Sequence, residues 1–166
     1  MASELQVEEV LKILVRYEIE FVLVGGIAAI LQGSPLTTED VDLVYDPSPE
    51  NIVRLSEALA ELGAHYLDPA GRHIEPDESK LATMRMHLLR TRHGRVDLLK
   101  TIEPSQGFED LVTRSRFFEV AGARVRVLEL AAIIESKAQA DRPKDRYQLP
   151  FLRQLLEEIQ LRERDG

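Results

Sequence analysis

The 166-residue chain contains no cysteine, which excludes disulfides and every cysteine-ligated zinc or iron–sulfur site. No window approaches the uninterrupted apolar length of a membrane span. The opening stretch MASELQVEEVLKIL sets acidic residues ahead of an amphipathic pattern, where a secretory leader would need a basic region and an apolar core. The expectation is a soluble, cytoplasmic protein with no membrane partner. Internal repeats, low-complexity tracts and a linker are also lacking, so residues 1–166 are expected to form one domain with a helical C-terminal segment from about 129 to 166. His65, His73, His87 and His93 show no paired ligand spacing, which argues against zinc; His73 and Glu75 are the only pair close enough in sequence to act together.

Positive charge is scarce and unevenly placed. The formal net charge is −8, yet from Lys80 to Arg146 there are 14 Lys and Arg against 9 Asp and Glu, leaving 7 against 20 elsewhere. Such a basic middle is either a polyanion-facing surface or, more often, a solvated face with ion pairs.

What is present is most informative between Phe21 and Asp46. Phe21–Val24 is a continuous apolar run, the pattern of a strand buried on both faces, and Gly25-Gly26 ends it before a small-residue helix closed by Gly33. Residues 34–39 read as a turn, followed by a strand Val41–Tyr45 with Asp40 and Asp42 on one face. Two aspartates so placed repel unless a cation lies between them. Ser48, Pro49 and Gly63 delimit the next helix. His65–Leu67 suggests a short strand, and residues 68–79 a polar loop. Leu81–Thr91 and Arg95–Lys100 read as a hairpin around Arg92-His93-Gly94, with Asp97 inside an otherwise apolar strand. Phe108–Ser115 reads as helix, then a second hairpin turns at Ala121-Gly122-Ala123 with Arg114, Arg116, Arg124 and Arg126 on or beside its arms. Leu130–Ala140 is a helix, and a break at Asp141-Arg142-Pro143 precedes a last helix that Pro150 is expected to bend or restart. The fold class is α/β (α+β), a mixed twisted sheet flanked by helices.

Three carboxylates converging from neighbouring strands suit Mg²⁺ or Mn²⁺ chemistry on phosphates, because hard oxygen ligands hold ions that bridge the attacking and leaving oxygens. Asp40, Asp42 and Asp97 fit that need, as catalytic residues and metal ligands together. Gly25 and Gly26 can offer backbone N–H groups to a triphosphate, with Ser34, Thr37 or Thr38 adding hydroxyl donors. Taken singly, each motif has a bland reading as turn, surface pair or edge residue; their order is the signal.

That order, h-G-G, a helix, D-h-D-h on a strand, then a later strand aspartate, resembles the nucleotidyltransferase superfamily with the DNA polymerase β-like fold. The run GSPLTTEDVDLVYD and the late segment from Lys137 to Arg146 resemble the small stand-alone bacterial group that includes the AbiEii/MenT-type toxins of type IV toxin–antitoxin systems. The resemblance implies an NTP substrate, a divalent cation at Asp40, Asp42 and Asp97, and nucleotide contacts from Gly25, Gly26, Ser34, Thr38, Lys137, Lys144 and Asp145, with Arg142 in the same late cluster. It also implies tRNA or another RNA as acceptor and a cognate antitoxin as partner. The bland alternative for the late cluster is an interhelical turn in which Arg142 and Lys144 cap one helix and Asp145 the next. Two rival functions stand beside the toxin reading. One is a small-molecule adenylyltransferase of the antibiotic-modifying kind, for which a deep acidic acceptor pocket beside Asp97 is expected. The other is an inactive binding module, for which the three aspartates should fail to converge.

Overall fold

Apolar residues recur at helical spacing in the first helix, and the structure, a computed structural model that describes residues 4–166, buries Val10, Leu11 and Leu14 of that helix completely. This helix, α1 (Val7–Arg16), leads into β1 (Phe21–Val24), α2 (Gly25–Leu31), β2 (Asp40–Tyr45) and α3 (Pro49–Glu61). There follow β3 (His65–Tyr66), α4 (Glu78–Thr83), the hairpin β4 (Met86–Thr91) and β5 (Gly94–Leu99), and α5 (Phe108–Val112). A second hairpin, β6 (Ser115–Val120) and β7 (Ala123–Leu128), precedes α6 (Leu130–Ala140) and α7 (Pro143–Asp165).

The strands make one seven-stranded mixed sheet in the order β3-β4-β5-β2-β1-β7-β6. Its centre is apolar on both faces, with Leu23, Leu43, Val44, Val96, Leu98 and Val127 fully buried. β2 lies antiparallel to β1 and parallel to β5, and that parallel register sets Asp42 beside Asp97 and Asp40 beside Arg95. Helix α6 is tied over the same end by Gln32. Its side-chain amide donates to the carbonyls of Ala28 and Leu128, both at 2.9 Å, and its oxygen accepts the Leu130 N–H at 2.9 Å. At the other end the fully buried Asn51 bridges the start of β1 to the end of β2, accepting from Glu20 N and donating to the carbonyls of Glu20 and Asp46. No helix among the described residues is long and apolar enough to cross a membrane.

Several boundaries differ from the sequence reading. The residues from Leu81 to Thr83 are helical, not strand, because Asp77 caps α4 by accepting the Lys80 N–H at 2.8 Å and Leu81 fills the core. Helix α2 begins at Gly25 itself, and α5 stops at Val112, which releases Ser115 and Arg116 to the edge strand β6. Pro150 lies within an unbroken α7. The amide it lacks deprives only the carbonyl four residues back, that of exposed Arg146, which water can satisfy.

Behind the sheet His87 is fully buried between two tyrosines, with Tyr66 Oη 2.7 Å from Nδ1 and Tyr45 Oη 3.3 Å from Nε2, while Tyr45 donates to Leu81 O at 2.6 Å. Burial pushes the imidazole down to about 4 from 6.5. A histidine that is neutral when folded and easily charged when unfolded costs stability as pH falls from 6.5 toward 4, by at most about 3 kcal/mol. Replacing His87 by Phe should flatten that acid limb in urea titrations between pH 7 and about 4, whatever it does to stability at neutral pH.

Candidate active site

The site forms where β1 ends and β2 begins, beside Asp97 on β5, beneath α6 and the start of α7. Carboxylate oxygens of Asp40, Asp42 and Asp97 all lie within 4.8 Å of one another, so the three predicted residues converge. Their side chains are partly enclosed, Asp40 at 22% exposure and Asp97 at 13%. Burial first, then the charges of Asp40 and Asp97, pushes the Asp42 carboxyl up to about 8. Burial and Asp40 push Asp97 up as well, and Arg95 partly offsets this. Such a cluster holds a proton in place of a cation, and its all-oxygen donor set matches a hard divalent ion.

Arg95 is a site residue that the motif reading missed. Its Nη2 donates to Asp97 at 3.0 and 3.3 Å and lies 4.0 Å from Asp40, while its Nε is buried without a partner. The signal was available: a residue two positions before Asp97 on a strand shares its face.

The glycine pair has a steric reason. Gly25 has φ +68°, and a Cβ there would stand 2.3 Å from Asp42 Oδ2; at Gly26 it would meet the Thr38 side chain at 2.7 Å. Only glycines let the α2 backbone lie against the carboxylates. Both line the cleft, as do Thr37 and Thr38. Ser34 does not line it: it is buried in the preceding turn, where its hydroxyl accepts the Leu36 N–H at 3.2 Å.

Across the cleft Lys137, Arg142 and Lys144 present their cations. Asp145 is wholly buried behind them and holds two in place, accepting from Arg142 Nε at 2.7 Å, Nη2 at 3.2 Å and backbone N at 3.1 Å, and from Lys137 Nζ at 3.5 Å. Gln148, one turn further along α7, accepts a second bond from Lys137 at 2.9 Å. Asp145, in the first turn of α7, therefore satisfies the Arg142 amide at the helix N-terminus and also orients the two cations. Burial pushes its carboxyl up, but hydrogen bonds from Arg142 outweigh this and leave it below the usual range. Burial pushes Lys137 down, opposed by Asp145. Asp145→Ala leaves Lys137 and Arg142 without their shared anion, and should cost on the order of 2 kcal/mol in chemical denaturation.

Around these groups the cleft encloses about 250 Å³. His73 and Glu75 meet at 3.1 Å in an exposed loop outside it.

A strand–glycine pair–helix followed by two strands that bring three aspartates together defines a protein of the nucleotidyltransferase fold. Among the solved structures that share it are the following three. LnuA, a lincosamide antibiotic adenylyltransferase with lincomycin bound, is 12% identical over 92% of this chain and 99% of its own, with a TM-score of 0.61. ANT(2″)-Ia in complex with adenylyl-2″-tobramycin is 17% identical over 96% and 97%, with a TM-score of 0.57. TM1012 from Thermotoga maritima is 19% identical over 92% and 91%, with a TM-score of 0.54. Residues 6–150 match the aminoglycoside-2″-adenylyltransferase family, and the chain belongs to it. Among curated proteins none matches the chain.

Proposed function

We propose that the protein transfers a nucleotidyl group from an NTP to a hydroxyl of a small molecule, the antibiotic-type reaction rather than the toxin-type one. The observation that carries this reading is the convergence of Asp40, Asp42 and Asp97 opposite Lys137, Arg142 and Lys144 in one cleft, within a chain of this family. Asp40 and Asp42, with Asp97, would hold Mg²⁺ or Mn²⁺, which supplies charge neutralisation at the phosphates when bound. The three cations bind the triphosphate, with Lys137 and Arg142 held by Asp145, and Gly25, Gly26 and Thr38 form the opposite wall. The acceptor oxygen bonds to the α-phosphorus as the bond to pyrophosphate breaks, and the hydroxyl proton passes to Asp97. Positioning and electrostatics supply most of the rate, so few side chains are needed.

Calorimetry on the Asp40→Asn/Asp42→Asn double variant tests the assignment. Mg²⁺-dependent NTP binding should vanish, and unchanged binding would sink it.

One observation favours the RNA reading. The β6–β7 hairpin exposes Phe117 between Arg124 and Arg126, whose guanidiniums lie 4.0 and 4.4 Å from the ring centroid, a surface on which bases can stack. Under that reading tRNA binding falls steeply with salt, and an antitoxin would have to mask the site. The convergence of the aspartates weighs against an inactive binding module.

A further inference from the structure

Beside the carboxylates the cleft opens into a second lobe of about 530 Å³ that shares a wall with the first through Met86, Leu99, Ile102, Ser136, Lys137 and Arg142. The sheet leads directly into it. Leu99 stands two residues beyond Asp97 on β5, hence on the same face, and Met86 of β4 is its cross-strand partner. An acceptor whose hydroxyl lies at Asp97 therefore has its body over Leu99 and Met86.

The lobe's far rim is firm. Residues 102 and 106 exchange two backbone hydrogen bonds, Ile102 N to Gln106 O at 2.9 Å and Gln106 N to Ile102 O at 2.8 Å, which close the loop carrying Glu103 and Ser105. Its floor is apolar, with Met86 52% exposed. Its charges are the informative part. Among the described residues that line it, Glu103 is the one carboxylate, against Arg85, Lys137 and Arg142, and the Glu103 charge already bears on Arg142. Even with Lys137 and Arg142 committed to phosphate, Arg85 balances Glu103. A polyamine sugar needs several carboxylates to replace the water around its ammonium groups, and this lobe offers it one, already balanced by Arg85.

We propose that this second lobe is the acceptor subsite and that it takes a hydroxyl-bearing small molecule with an apolar portion and no net positive charge, discriminating against polyamine sugars. The assignment rests on the nucleotidyl-transfer reading for its location, and departs from the acidic acceptor pocket that the antibiotic-modifying reading led us to expect.

The test is calorimetric titration of the full chain, with and without Mg²⁺ and a non-hydrolysable ATP analogue. The two probes are tobramycin, a polyamine sugar, and octyl glucoside below its micelle threshold, an uncharged sugar with an alkyl chain. The wild-type protein should bind octyl glucoside at least about tenfold more tightly than tobramycin. Met86→Asp should weaken the glucoside by about tenfold, and Arg85→Glu should strengthen tobramycin by a similar factor. Equal or tighter binding of tobramycin by the wild type, binding of neither probe, or variants that leave both affinities unchanged would each overturn the assignment. Failure of the nucleotide analogue to bind sinks the transfer reading instead; reversed selectivity with nucleotide binding intact sinks only the lobe.

Discussion

Asp42→Asn should give a protein that is inactive and more stable. Asp42 sits between Asp40 and Asp97, and burial with their two charges raises its carboxyl from 3.8 to about 8. The sign follows from linkage. Below pH 3.8 the group is protonated folded or unfolded and contributes nothing; as pH rises toward 8 the unfolded state releases a proton that the folded state keeps, and stability falls. An isosteric amide cannot ionise and donates hydrogen bonds to its neighbours, so at neutral pH without metal the variant should gain on the order of 1–3 kcal/mol, or roughly 2–4 °C in Tm for each kcal/mol. The same change removes a carboxylate from the proposed metal site, and nucleotidyl transfer should fall by about a thousandfold or more. Saturating Mg²⁺ and NTP should raise the wild-type Tm and leave that of the variant in place. Melting curves at pH 5 and pH 8, with and without Mg²⁺, check each part, since the gain should be larger at pH 8.

Gly25→Ala should be the most damaging single-methyl change among the glycines that line the candidate active site. Its φ of +68° is strained for any residue with a Cβ, and the new atom would stand 2.3 Å from Asp42 Oδ2. Backbone strain accounts for about 1–2 kcal/mol. Displacement of Asp42 or of α2 adds more, for an expected total of roughly 2–4 kcal/mol. Gly71→Ala separates the two contributions: its φ is +73°, but nothing lies within 4 Å of the added Cβ, so only the strain remains. Urea denaturation of both variants should show Gly25→Ala the worse by at least about 1 kcal/mol, with Mg²⁺-dependent NTP binding lost in it alone. Equal losses would mean that the glycine serves the backbone and not the carboxylate.

The parts of this site readable from sequence were those governed by short-range periodicity. The alternation that put Asp40 and Asp42 on one face of β2 also puts Arg95 on the face of Asp97, yet attention to carboxylates passed over the cation between them. The β2–β5 register that joins the two strands depends on long-range pairing, so it became visible only in the fold. Gly25 and Gly26 were legible as a conformational signal, but the reason for them, close approach to Asp42 and Thr38, is tertiary. Ser34 has the residue type of a phosphate donor, but its hydroxyl faces its own turn. Helix α4 was obscured because Leu81 continues an apolar pattern into β4, and the Asp77 cap that decides it lies in a segment dense with other polar residues. The second lobe had no sequence signature, since Arg85, Met86, Leu99 and Glu103 come from separate elements.

The most direct test of the central claim is incubation of the protein with each NTP labelled at the α-phosphate, Mg²⁺, and either a small-molecule fraction of a cell extract or total tRNA. The account predicts label on a small molecule, with equimolar pyrophosphate released and no transfer by Asp42→Asn. Label appearing on tRNA, or transfer that survives the loss of Asp42, would contradict it.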